Sequence, residues 1–443
     1  MFTSFRIILM VLFLSNLSVY AQTARNLDLT PIDEVKTQDP IVDDEVKKDE
    51  REKVQEKRLE KLEKAAEAGS KTAILELGNN YFYGRLGLEK DTAMAAQWWR
   101  RGADKNHRQC MYNLANLYIR GDGVEKSEDE GLKYYMKAAD FGLVQANINA
   151  ALLLDRREDY KKAIRYFQEA SLIKDYRAIS RLAEYYERGL GGPKRVLDAI
   201  ALYRESAQKG NADAQLKMAE FSNNQEYPSV YNRKEALKWL MLSADNGNST
   251  SEARVAYCYQ NGIGVRKDNE VAIRWFLRAA NKNYPPAQVA LGNCYSVGSG
   301  VSANLEIAYT WYEKAARLGN SSGLYNAGVC HIRGIGTKVN VARGLDYYQR
   351  AAEQNYAQAI YVLAYMYETG EDVKKDINKA IIYYQKAALQ NHADALYELG
   401  RIYLAGEYLK ANRDQAEIML KKSAEMGNRD AFVLYQKSFV QKN

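Results

Sequence analysis

The chain has 443 residues, of which 47% are hydrophobic and 27% charged, and a formal net charge of +7. Three histidines and four cysteines are too few for a clustered metal centre, and six prolines beside 34 tyrosines point to a helical, aromatic-rich chain. The apolar content is enough for a large core.

In chain order, the first element is a short apolar run. A single basic residue, Arg6, precedes Ile7 to about Leu17, and small residues then lead to Val19-Tyr20-Ala21. This is the layout of a secretory signal peptide over 1–21, shorter than the roughly 20 apolar residues a membrane span needs. No later stretch is apolar enough to span a bilayer. The mature chain is therefore expected to be exported, without a stable membrane span.

Residues 22–50 read as a disordered acidic leader, with Asp28, Asp33, Glu34, Asp39, Asp43, Asp44 and Glu45 beside Pro31 and Pro40 and little to bury. The remainder is correspondingly basic. In an exported protein that balance favours anionic proteins, acidic polymers or membrane surfaces over nucleic acid. Residues 51–71, ending in "KRLEKLEKAAEAGS", are expected to form an N-terminal cap helix.

From residue 72 to 428 one pattern recurs ten times. "WFLRAANKNY" at Trp275, "WYEKAARLGN" at Trp311, "YYQRAAEQNY" at Tyr347 and "YYQKAALQNH" at Tyr383 follow one another at 36-residue intervals. Registered on these, the units begin near Thr72, Arg108, Val144, Tyr176, Ala212, Ser249, Pro285, Ser321, Ala357 and Ala393. A period of this length signals stacked helix-turn-helix units, because one helix pair cannot bury its apolar face alone.

Each unit resolves into the same parts. The first helix carries two small residues five apart, such as Ala287 and Gly292, then an aromatic such as Tyr295, and ends in a turn such as "GSGV" at Gly298. The second helix opens on a side-chain cap: Asp91, Ser127, Asp159, Asn232, Asp268, Asn304, Asn340, Asp376 and Asn412, with Arg195 the exception. It continues through a large pair, such as Trp98-Trp99 or Trp311-Tyr312, to a small residue such as Ala316 and a closing Gly or Asn. Residues 429–443 read as a solitary first helix that caps the other end.

The pattern "A-x4-G-x2-Y-x2-G-x-G-V … D-x3-A-x2-W-Y-x2-A-A-x2-G-N" resembles the Sel-one-like repeat (SLR), a relative of the tetratricopeptide repeat. The resemblance implies an all-α, right-handed superhelical solenoid used as a scaffold or adaptor for protein complexes. Two units depart from it. The third, "NAALLLDRREDYKKA", lacks the glycine turn, and the fifth, "KMAEFSNNQEYPSVYNRKEA", replaces it with a loop containing Pro228. A cysteine-rich subgroup with claimed lactam-hydrolysing activity pairs cysteines eight residues apart, a spacing absent here.

Catalytic and metal chemistry find no foothold in the pattern. Cys258, Cys294 and Cys330 occupy one repeat position, where stacked helices lie about 9 to 10 Å apart, beyond the roughly 7 Å reach of a disulfide. Buried free thiols are expected, with no disulfide. His107, His331 and His392 stand without a second ligand at metal spacing, and no nucleophile elbow or phosphate loop occurs. We expect no enzyme activity, no cofactor and no metal.

The resemblance implies that the first helices line the concave face of the solenoid. One register position there gives Arg120, Arg156 and Arg188, with Asn113, Asn116 and Asn149 nearby. Another gives Tyr325, Tyr361 and Tyr397, joined by Tyr365. These suggest an amide-and-guanidinium ladder for acidic or extended-backbone ligands, and a tyrosine ladder for peptide or sugar rings. The expectation is an exported scaffold, periplasmic or secreted, that binds a partner protein. An envelope polysaccharide or peptidoglycan is the alternative ligand, a hydrolase the third reading, and the endoplasmic reticulum lumen the alternative location.

Overall fold

The computed structural model describes residues 40–440. The expected signal segment at 1–21 and residues 22–39 of the acidic leader lie outside the described residues. A helix already runs from Pro40 to Glu67, so the end of the leader is helical and the boundary at residue 51 is corrected. The physical reason lies in composition: beyond Pro40 the sequence is dominated by Glu and Lys, good helix formers, with pairs such as Glu60 and Lys64 at 2.6 Å.

Among the described residues the structure is entirely helical, with 22 α-helices, no strand, and a closing π-helical turn at Gln436–Val440. The chain divides between Lys137 and Ala138 into two compact units. In the first, the N-terminal helix packs on Lys71–Tyr83, which pairs with Thr92–Asp104 and is followed by Arg108–Arg120. Its core holds Ile74, Leu77, Trp99, Met111 and Leu114. In the second unit, consecutive helix pairs stack from Val144–Arg156 to Arg413–Glu425, and Arg429–Tyr435 follows as the lone terminal helix.

All nine expected second-helix caps accept a backbone N–H. Asp91 takes that of Met94 at 2.8 Å and Asn304 that of Ile307 at 2.9 Å, and Ser127, Asp159, Asn232, Asp268, Asn340, Asp376 and Asn412 do the same. Arg195 makes no such bond. The two irregular units also lack a left-handed residue at the first-helix C-cap: the third ends at Arg157 with φ −89° and turns left-handed one residue later, at Glu158 with φ +59°, and the fifth ends at Asn224 with φ −98°.

The small residues mark the tightest approaches. Gly292 lies under Tyr312 and Gly328 under Tyr348, so that an added Cβ would meet either ring at under 3 Å. Hence, where this small residue is glycine, it seats the second member of the large pair in its own repeat, as Gly78 does for Trp99 and Gly400 for Leu420. The second glycine of the turn has a separate role. At Gly336, φ is +67° and a Cβ would run into the Leu305 carbonyl, at the start of the preceding unit's second helix. That turn is therefore a backbone-on-backbone contact between units as well as a helix stop.

Candidate functional site

Every buried position of the repeat is taken by packing, so the side chains left for recognition are those on the exposed face of the first helices. In the first unit the structure brings Asn113, Asn116 and Arg120 together with Asn79, Phe82 and Trp99 around a cleft of about 160 Å³. Asn113 donates to Asn79 Oδ1 at 3.4 Å and accepts from Gln109 at 3.0 Å. The Tyr135 hydroxyl donates to Asn116 Oδ1 at 2.5 Å. Arg120 is exposed.

The second unit holds Asn149, Arg156 and Arg188, and here the expectation of a basic ladder is corrected. Arg156 is exposed, but Arg188 is paired with Glu184 at 2.8 Å. Arg181, two turns before Arg188, bridges Glu184 at 2.6 Å and Asp155 at 3.3 Å. The same alternation continues through Glu187–Lys217 at 3.0 Å and Glu220–Arg254 at 2.7 Å. Cations on these three first helices thus face carboxylates of the repeat before, giving a lattice of alternating charge. Such half-exposed pairs add little stability individually, but they leave little unmatched positive charge there.

The tyrosines divide as well. Tyr325 packs against Tyr348 and Tyr356, with ring centroids 5.7 and 5.6 Å away. Tyr361 stacks on His392 at 4.7 Å and 17°, and burial pushes its phenol up to about 12. Both rings therefore pack within their own repeats, against the residue that leads into the next one, rather than forming an open ladder. Tyr397 is half-buried, and Tyr365, 44% exposed, is the member of the set that presents its ring to solvent.

Sequence reasoning missed a second cleft of about 420 Å³, lined by Ala253, Tyr257, Gln260, Tyr284, Ala290 and Asn293. Its signal was present as two small residues. Ala253 stands in register with Tyr325, Tyr361 and Tyr397, and Ala290 with Arg181, Lys217 and Arg254. The space their side chains leave opens beside Tyr257, which is 56% exposed.

The histidines have structural posts. His107 Nδ1 accepts from Cys110 N and His392 Nδ1 from Ala395 N, both as helix N-caps. His331 is buried against Tyr309. Among the described residues no three His, Cys, Asp or Glu side chains are grouped to hold a metal ion. No helix among them is long and apolar enough to cross a membrane.

Sel1 repeats match this chain in ten consecutive copies, at residues 72–107, 108–143, 147–172, 177–211, 212–248, 249–284, 285–320, 321–356, 357–392 and 393–428. The chain belongs to the Sel1 repeat family. Among solved structures, this Sel1 repeat protein is similar to a protective antigen of uropathogenic Escherichia coli with an SLR fold. That similarity has a TM-score of 0.67 and 28% identity, over 86% of this chain and 82% of the antigen.

Among curated proteins it is 28% identical over 208 residues to chitin synthase regulatory factor 2 of Schizosaccharomyces pombe, covering 44% of this chain and 41% of the relative. It is 32% identical over 164 residues to an exopolysaccharide production negative regulator of Rhizobium meliloti, covering 36% of this chain and 52% of the relative. The alignments thus span about half, or less, of these relatives.

Proposed function

We propose that this Sel1 repeat protein is an exported, non-enzymatic adaptor, periplasmic or secreted, that holds a partner protein on the face formed by its first helices. The carrying observation is the contrast between the two sides of the repeat. Small residues, caps and aromatic pairs recur from repeat to repeat, whereas within the second compact unit the exposed first-helix positions change from a charged lattice to the solvent-facing Tyr365. A surface that varies along an otherwise uniform stack suits recognition of one extended partner. The regulator names of the curated relatives support a binding role, and the Arg6-led apolar run supports export.

The test is affinity capture from an envelope fraction with the intact chain and with Arg156→Ala and Tyr365→Ala. Arg and aromatic side chains are common binding anchors, where truncation costs on the order of 2 kcal/mol or more, so each variant should stay folded and capture less partner. Unchanged capture by both folded variants removes the first-helix face as the docking surface.

A second reading, an envelope polysaccharide or peptidoglycan ligand, is favoured by the Tyr257 cleft. Aromatic rings and the neutral amides of Gln260 and Asn293 suit the faces and edges of a sugar. Retention on immobilised peptidoglycan or exopolysaccharide, lost in Tyr257→Ala, separates it from the first.

A further inference from the structure

The cleft of the first unit has a property that its lining residues alone do not reveal. Its three asparagines have their carbonyl oxygens occupied: Asn79 Oδ1 by Asn113, Asn113 Oδ1 by Gln109, and Asn116 Oδ1 by the Tyr135 hydroxyl. An amide whose oxygen is engaged in this way turns its NH2 group to the remaining space. Asn79 and Asn116 therefore each keep a free amide donor, and Arg120 adds a guanidinium with no partner among the described residues. No carboxylate lines the cleft, and the remaining walls are Phe82, Tyr83, Trp99 and Leu117.

We infer that this cleft binds a carboxylate carried on an apolar or aromatic group, the chemistry of a peptide C-terminus or of an acidic residue beside a large apolar one. Donors without competing acceptors select an anionic oxygen, and the guanidinium fork matches the two oxygens of a carboxylate. The aromatic walls select what the carboxylate is attached to. A volume of about 160 Å³ admits one side chain rather than a folded surface. The inference rests on the partner-binding reading above and names the chemistry of one subsite within it.

The experiment uses the full chain and three fluorescein-labelled probes on a Gly-Ser-Gly-Ser spacer: one ending in Phe with a free carboxylate, one ending in Phe amide, and one ending in Asp-Phe amide. In fluorescence anisotropy the free-carboxylate probe or the Asp-Phe amide probe binds, and whichever binds more tightly identifies the source of the carboxylate. The Phe amide probe binds at least about tenfold more weakly, the change carried by one hydrogen bond to a charged group. Asn116→Asp preserves an acceptor for Tyr135 but replaces the free donor by a charged oxygen. It abolishes binding of the carboxylate probes at an unchanged melting temperature, and Arg120→Gln weakens them.

Equal binding of all three probes overturns the inference. So does no binding up to about 1 mM, displacement by equimolar inorganic phosphate, or full binding by folded Asn116→Asp. Because the probes require no partner, such a result removes the carboxylate subsite while leaving capture by the first-helix face to its own test. Retained probe binding with unchanged capture by folded Arg156→Ala and Tyr365→Ala has the opposite meaning.

Discussion

Glu252 is fully buried, and its Oε1 accepts from Arg278 Nε at 3.1 Å. In the same register the neighbouring units carry Gln215 and Gln288, whose Nε2 donates to the carbonyls of Ala207 at 3.0 Å and Ala280 at 3.1 Å. A carboxylate has no hydrogen to give, so the equivalent carbonyl, that of Ala244, is served by Arg278 Nη2 at 3.2 Å instead. Lys282 adds bonds to Glu252 at 2.9 Å and to the Gly247 carbonyl at 2.8 Å.

Arg278→Ala should therefore destabilise the chain by about 3 kcal/mol, the usual result of leaving a buried charge short of its partner. The double variant Glu252→Gln/Arg278→Ala should recover much of that loss, because the amide can donate to Ala244 as its neighbours do. Chemical denaturation of the single and double variants gives the answer, and equal losses in both would contradict this account.

Stability should fall as the solution is acidified through the histidine range. Burial, followed by the Arg343 charge, holds His331 below its ordinary value of 6.5, and burial is also the leading cause for His107 and His392. The unfolded chain then binds more protons than the folded one below about pH 6.5, so stability present above that value is lost as pH drops toward the folded values. His331→Tyr installs the residue that Tyr295 and Tyr367 supply in the same register. Its melting temperature should depend less steeply on pH than that of the unaltered chain between about pH 7.5 and 5.5. Parallel curves would show that His331 does not titrate differently on folding.

The thiols should be unreactive in the folded chain and all free. Cys110, Cys294 and Cys330 are buried and unbridged, and Cys258 is half-buried and also free. Burial pushes Cys110 up to about 12 and Cys330 up to about 11. The thiolate is the nucleophile, so an aromatic disulfide reagent near neutral pH should react slowly, first at Cys258, and should count four thiols after denaturation without reductant. Reductant should leave the melting temperature unchanged, and a large drop would reveal a bridge.

Overpacking one inter-unit layer should be felt directly. Ala315 and Ala316 are both fully buried, and a Cβ added to Gly323 would lie 2.6 Å from Ala315 Cβ and 2.9 Å from Ala316 N. Ala316→Leu should cost about 1 to 3 kcal/mol, measured as a lowered denaturation midpoint. The conservative Ala316→Gly tests whether the loss comes from volume, since it removes a methyl group and adds none.

The helices, their caps and the repeat boundaries were legible in the linear sequence because each depends on local chemistry. Asp91 and Asn304 cap through an amide three residues away, and the alternation of small and large residues recurs at 36-residue intervals whatever the charged residues do. The recognition face was only partly legible. Arg120, Arg156 and Arg188 share a register, but register says nothing of Glu184, which pairs with Arg188, or of Asp155, which binds Arg181 from the preceding unit. Tyr325 and Tyr361 look the same as Tyr365 in composition, yet the first two lie under Tyr356 and His392 while the third meets solvent. The free donors of Asn79 and Asn116 depend on which of their oxygens a neighbouring side chain reaches, 34 and 19 residues along the chain. Sequence alone determined the repeat because each unit's packing is written within about 36 residues of chain. Only tertiary structure decided which polar groups remain unmatched, because hydrogen-bond partners and ring neighbours on that face come from the adjoining helices.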